Sequence, residues 1–292
     1  MKRQKRDFRS LELTAKFLIS NFGSGIHRSL LADSSGEVDI TREYQPGDKR
    51  LDSKTSLRVG KVMSRVFNPE KLLNIFIVLD VSHSGFYGVN ILKIEVGVLA
   101  SLYLSFLAGA SNDNVGLITF SDRVKDFYEP CSDETVVTIA LEKVFERESK
   151  QDNKSNLELA LKKLANLEMR DCLIFIISDF LFDHTKRLGQ LLKQINLSPN
   201  NSSIALIVIN EQEWVLPKQN FVAKVLDAES DRMKTVDFGS PKNFIRQKGI
   251  LYNWRDKTRA FLSQSHCHPI FINTGDDNPL LPLIRYFLKI QN

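Results

Sequence analysis

Asn74-Ile75-Phe76-Ile77-Val78-Leu79-Asp80 and Cys172-Leu173-Ile174-Phe175-Ile176-Ile177-Ser178-Asp179 decide the fold. Each is a run of apolar residues that closes on an aspartate. A strand wetted on one side alternates apolar and polar residues, whereas one apolar at successive positions is buried on both faces. Ile204–Ile209 is a third run of this kind, with Val115–Phe120 and the short Ile270–Ile272 as further strands. Helical stretches separate them: Gly88–Ala110, Asp133–Glu148, Leu157–Leu167 and a closing Pro279–Lys289. Val124–Tyr128 reads as an antiparallel or edge strand. Buried strands alternating with helices predict a doubly wound, mostly parallel α/β sheet with right-handed crossovers.

The rest of the chain is read around that sheet. Its 292 residues, 42% hydrophobic and 26% charged, are those of an ordinary globular protein, which excludes collagen-like, coiled-coil and wholly disordered classes. The three cysteines show no Cys-x-x-Cys spacing, so a disulfide framework and a cysteine-rich zinc site are not expected, and a reducing cytoplasm is. The start, MKRQKRDFRS, has no apolar stretch behind it and does not read as a secretory signal. Val96–Ala110 is too short and too serine-dotted for a membrane span and reads as a core helix.

Residues 1–70 differ from residues 71–292. They hold 14 Lys/Arg against 9 Asp/Glu, the whole of the +5 net charge, while the remainder is balanced. They contain an amphipathic stretch, Phe8–Phe22, and a short potential strand, Glu37–Tyr44, but no long apolar run. The expectation is a basic extension packed on the sheet domain. Near residues 212–240 an irregular insertion carries one strand, Phe221–Leu226, which either extends the sheet edge or forms a small excursion.

In an open parallel sheet, ligands bind beyond the carboxyl ends of the strands, where strand order reverses. Asp80 and Asp179 stand at two such ends. Asp80-Val81-Ser82-His83-Ser84 places oxygens at i, i+2 and i+4, which a turning loop can point into one concavity. A carboxylate and two hydroxyls then face a second carboxylate. Hard oxygen donors of this kind suit magnesium or manganese, with water filling the remaining positions. The same residues also serve an ordinary helix N-cap and turn.

Asp80-Val81-Ser82-His83-Ser84 resembles the Asp-x-Ser-x-Ser motif of von Willebrand factor type A domains, the first element of their metal-ion-dependent adhesion site. The resemblance implies that Ser155 stands where that family has a threonine and that Asp179 is the third-loop aspartate. The chain also resembles the bacterial family called domain of unknown function fifty-eight. The likeness is carried by Gly23-Ser24-Gly25-Ile26-His27-Arg28-Ser29 and by Arg42-Glu43-Tyr44-Gln45-Pro46-Gly47-Asp48-Lys49-Arg50-Leu51-Asp52. Here Arg50 comes one residue early, and Ser53 replaces a tryptophan. Together the resemblances imply a non-enzymatic module that binds Mg²⁺ or Mn²⁺ through Asp80, Ser82, Ser84, Ser155 and Asp179. The ion would grip an acidic side chain of a protein partner, with a MoxR-type AAA+ ATPase as the implied associate.

Other motifs carry less. His83 beside two serines suggests a base for a metal-dependent hydrolase, but no Gly-x-Ser-x-Gly elbow accompanies it. His266-Cys267-His268 shows no third zinc ligand nearby. Gly23-Ser24-Gly25 lacks the third glycine and preceding strand of a dinucleotide site, and no phosphate-binding loop is present. The basic first 70 residues leave nucleic-acid binding as an alternative, although no aromatic platform accompanies them.

Overall fold

The computed structural model describes residues 7–20, 40–44, 53–66, 73–88, 91–146, 155–167, 172–182, 184–198, 201–211, 222–227, 232–237 and 241–289. Its centre is a six-stranded sheet. The strands are β3 (Asn74–Asp80), β4 (Asn114–Phe120), β5 (Val124–Cys131), β6 (Cys172–Ser178), β7 (Ser202–Ile209) and β10 (Cys267–Asn273), in spatial order β10-β7-β6-β3-β4-β5. All neighbours are parallel except β5, which runs antiparallel to β4 at the edge. The sequence anticipates this doubly wound α/β sheet.

Alternate residues of each strand enter two separate cores. Ile75, Ile77 and Leu79 of β3, with Phe175 and Ile177 of β6, pack under α3 (Lys93–Ala110), α4 (Glu134–Glu146) and α8 (Leu281–Lys289). Phe76 and Val78, with Ile174 and Ile176, pack under α5 (Leu157–Ala165), α6 (Lys186–Leu197) and the end of α7 (Pro241–Gln264). This two-sided burial is why the strands are apolar without alternation. The apolar helix α3 is almost wholly buried, packed on the sheet and on α4.

The helix of residues 8–20, α1, adds Phe8, Leu11, Ala15 and Leu18 to the first core, with the Phe8 ring 6.0 Å from that of Phe145 on α4. Strands β1 (Ile40–Glu43) and β2 (Met63–Val66) form an antiparallel pair, and α2 (Ser53–Val59) lies between them in sequence. The Ser56 hydroxyl of α2 accepts the Met63 N–H at 2.8 Å. Most of the Gly23–Ser29 and Arg42–Asp52 stretches lies outside the described residues. Strand β8 (Val222–Asp227) pairs with β9 (Arg232–Asp237) in a two-stranded sheet of its own, the excursion rather than the sheet extension.

Helix α3 starts at Lys93, five residues later than the sequence reading, and is preceded by a separate 3₁₀ turn at His83–Phe86. Three helices are absent from that reading: α2, α6 and α7. In α6, Leu188, Leu192 and Ile195 face the core, and the Thr185 hydroxyl caps the helix by accepting the Leu188 N–H at 3.1 Å. In α7, a narrow stripe of Leu251, Thr258 and Leu262 is buried among the described side chains.

All three cysteines are free thiols. Cys172 and Cys267 are 1% exposed, and burial pushes the Cys267 thiol up to about 12. Cys131, at the end of β5, is half-buried. An aromatic disulfide reagent should therefore titrate one thiol rapidly in the native protein and three in denaturant. Rapid native reaction of two or three thiols would contradict the packing around β6 and β10. His268 on β10 lies against the Tyr286 ring at 4.5 Å, and burial lowers its pKa.

Candidate functional site

The chain enters the sheet at β3, builds outward through β4 and β5, then returns to β6 on the other side. The order reverses between β3 and β6, and Asp80 and Asp179 leave the sheet side by side there. Asp80 is 8% exposed and Asp179 7%. The strand hydrogen bonding extends past Asp80, since the Val81 N–H donates to the Phe120 carbonyl at 2.8 Å. This fixes the direction in which the following loop departs.

Asp80 is the hub. Its Oδ1 accepts the Ser82 N–H at 2.9 Å, while its Oδ2 accepts the hydroxyls of Ser155 and Ser178, both at 2.7 Å. Ser82 has extended backbone angles (φ −66°, ψ 164°) at the head of the 3₁₀ turn, which brings its hydroxyl to 3.2 Å from that of Ser84. Ser155 precedes α5 and is held by its neighbour: the Asn156 N–H donates to the Ser121 carbonyl at 2.7 Å. Burial raises the Asp80 pKa most, and the charge of Asp179 raises it further. Hydrogen bonds from Ser82 and Ser178 oppose the rise.

Asp179 is positioned by a strained turn. Phe180 has φ 53°, a left-handed conformation that costs a bulky residue about 1–2 kcal/mol. Its side chain is fully buried, and its N–H donates to the Ser178 hydroxyl at 3.1 Å, so packing and hydrogen bonding hold the turn. The Leu181 N–H donates to Asp179 Oδ1 at 3.3 Å. Asp179 Oδ2 accepts from the Lys93 ammonium at 3.0 Å, and both side chains of this ion pair are about 95% buried.

The structure thus joins the five residues named from sequence into two linked groups. Asp80, Ser82, Ser84 and Ser155 are connected by hydrogen bonds, and Asp179 meets them through its charge on Asp80. Sequence reasoning missed Ser178 and Lys93. A hydroxyl immediately before a strand-end aspartate was a usable signal for Ser178. No pattern pointed to Lys93, since a lysine at the head of an apolar helix ordinarily reaches solvent.

Asp80, Ser82, Ser84, Lys93, Ser178 and Asp179 border a cavity of about 20 Å³, which Ser155 reaches only through its hydrogen bond to Asp80. That volume suits one water-sized occupant. Among the described residues no cluster of three or more His, Cys, Asp or Glu side chains could hold a metal ion. The donor set is instead two carboxylates with serine hydroxyls, all hard oxygen. Ser155 donates its proton to Asp80 and so keeps its lone pairs available to a cation. This chemistry fits a small hard divalent ion that retains water, and does not fit zinc. His83 Nε2 is hydrogen-bonded to the Tyr87 hydroxyl at 3.0 Å, with the two rings edge to face.

Residues 40–248 match the family described as "Protein of unknown function DUF58". The chain belongs to that family. The match covers more than half of this DUF58 protein and takes in both aspartates and all four serines of the site. No curated protein matches the sequence. Among solved structures the DUF58 chain is similar to BatB from Bacteroides thetaiotaomicron, at 13% identity over 75% of this chain and 98% of that one, with a TM-score of 0.45. It is also similar to an aerotolerance-related membrane protein from Bacteroides fragilis, at 12% identity over 75% and 98%, with a TM-score of 0.46. A third is the VWA domain of SpRpn10, at 12% identity over 74% and 95%, with a TM-score of 0.42.

Proposed function

We propose that this DUF58 protein is a metal-dependent protein-binding module rather than an enzyme. Asp80, Ser82, Ser84, Ser155 and Asp179 would hold Mg²⁺ or Mn²⁺, and the ion would take an aspartate or glutamate of a partner as a further ligand. The observation that carries this reading is the convergence of two buried carboxylates and a set of serine hydroxyls on one small cavity at the reversal of strand order. The protein's own contribution is positional. Asp80 orients Ser155 by accepting its proton, the 3₁₀ turn brings Ser82 and Ser84 together, and the Phe180 turn fixes Asp179. The ion would supply a positive centre that a partner carboxylate can complete, so ion and partner would bind cooperatively. A MoxR-type AAA+ ATPase is the partner implied by the family resemblance, with the module as its adaptor.

Thermal unfolding across an MnCl₂ titration tests the ion. At ten times the Kd, binding adds about 1.4 kcal/mol, or roughly 3 °C for a chain of this size. The rise should appear in the wild type and vanish in Asp80→Ala. An equal rise in both proteins would place the ion elsewhere and end this reading. Partner capture should likewise require both Asp80 and the ion, which a pull-down with the ATPase, with and without chelator, checks.

A further inference from the structure

We propose that Lys93 is a tethered competitor of the metal: its ammonium occupies Asp179 when no ion is bound and is expelled when one enters. This rests on the metal-binding reading above and concerns what sets the affinity of the same site. Three observations carry it. The Lys93 ammonium lies 3.0 Å from Asp179 Oδ2, with both side chains almost wholly buried. It borders the same 20 Å³ cavity as Asp80, Ser82 and Ser84, which has room for one small occupant. The backbone brings the head of its helix close, because α3 packs so tightly on the sheet that a Cβ on Gly97 would stand 3.0 Å from Leu79 Cδ1 and 3.6 Å from Ile177 Cγ2.

Charge decides the exchange. The two aspartates carry two negative charges, and Lys93 offsets one of them. A divalent ion offsets both. With the ion and Lys93 both present, a surplus positive charge would be buried, which the low-dielectric setting penalises strongly. Lys93 is also the first residue of α3, where the helix dipole already disfavours a cation. The ion pair with Asp179 offsets that cost. Once the ion takes that carboxylate, the ammonium moves toward solvent, at the helix end nearest the partner-binding face. The lysine therefore lowers the apparent ion affinity and keeps the carboxylate pair tolerable in the absence of metal.

The test is Mn²⁺ binding by calorimetry to the wild type, Lys93→Met and Lys93→Gln, with far-UV circular dichroism to establish that each is folded. Both variants should bind Mn²⁺ at least tenfold more tightly than the wild type. Binding by the variants but not by the wild type would support the competition in its strongest form, while removing metal dependence from the native protein. Equal or weaker binding by both variants, with the wild type binding, overturns the competition and leaves the metal reading intact. No binding by any of the three overturns both. If neither variant folds, the wild type still decides: in ¹⁵N-lysine-labelled protein, the Lys93 ammonium signal should leave its protected position on Mg²⁺ addition. A signal unchanged at saturating Mg²⁺ overturns the proposal.

Discussion

Phe175→Ala should lower the melting temperature by about 6–10 °C while leaving the Mn²⁺-dependent rise in place. Phe175 sits in the middle of β6, in register with Ile77 on one side and Ile204 on the other, and is fully buried. Its ring meets that of Phe287 on α8 at 6.1 Å and 71°, an edge-to-face contact that ties the closing helix to the sheet. Truncating such a ring to alanine costs about 3–5 kcal/mol through lost burial and a residual cavity. In a chain of this length each kcal/mol is worth about 2 °C. The site should survive because Asp179 lies four residues further on, about 13 Å along the strand direction. Differential scanning fluorimetry with and without MnCl₂ separates the two quantities. A loss of the Mn²⁺ rise would mean that core and site are coupled through β6 more tightly than the packing implies.

The same strand shows why so much of the fold was legible. Cys172–Ile177 and Asn74–Leu79 have helices on both faces, so burial leaves no polar position to blur the pattern. Helices are harder to read where their apolar face is narrow. Among its described side chains Pro241–Gln264 buries Leu251, Thr258 and Leu262 along one narrow stripe that includes a polar residue, and it leaves Ile245, Ile250 and Tyr252 exposed off that stripe, which blurs the apolar period. Lys186–Leu197 is a different case: its buried leucines and isoleucine recur at helical spacing behind a threonine cap, and the signal was present. The late start of α3 is marked by Glu95, whose side chain accepts the Leu92 N–H at 3.0 Å and caps the helix there.

The site was legible in its strand-end aspartates and in the serine spacing after Asp80. Both follow from local chain geometry. Ser178 and Lys93 enter through tertiary structure, from a neighbouring strand and from a helix head brought in by the close approach at Gly97. Contacts such as Ser178 with Asp80, 98 residues apart, have no signature within a sequence window. The two missed residues bear on charge rather than shape: one stabilises the Asp80 carboxylate, the other neutralises Asp179.

Asp80→Asn should have two opposite consequences: a more stable metal-free protein and an Mn²⁺ affinity reduced by more than about 100-fold, beyond the loss that supporting groups alone cause. The amide is compatible with the hydrogen bonds around it. Its oxygen can accept the Ser82 N–H, and its two N–H groups can donate to the Ser155 and Ser178 hydroxyls, which rotate to accept. What disappears is a buried negative charge beside Asp179, the two features that raise the Asp80 pKa. A carboxyl whose folded pKa lies above its unfolded value of about 3.9 binds more protons in the native state. Its contribution is therefore most favourable below that unfolded value and is lost as pH rises through the folded one. Asparagine carries no such loss. The melting temperature of the variant minus that of the wild type, both metal-free, should accordingly grow as pH is raised from 4 toward neutrality. Saturating Mn²⁺ should reverse the order in the neutral range, because the ion stabilises the charged carboxylate of the wild type alone. A variant less stable than the wild type at every pH would mean that the Asp80 hydrogen bonds outweigh the cost of its charge, and that the site is built to hold an anion without help.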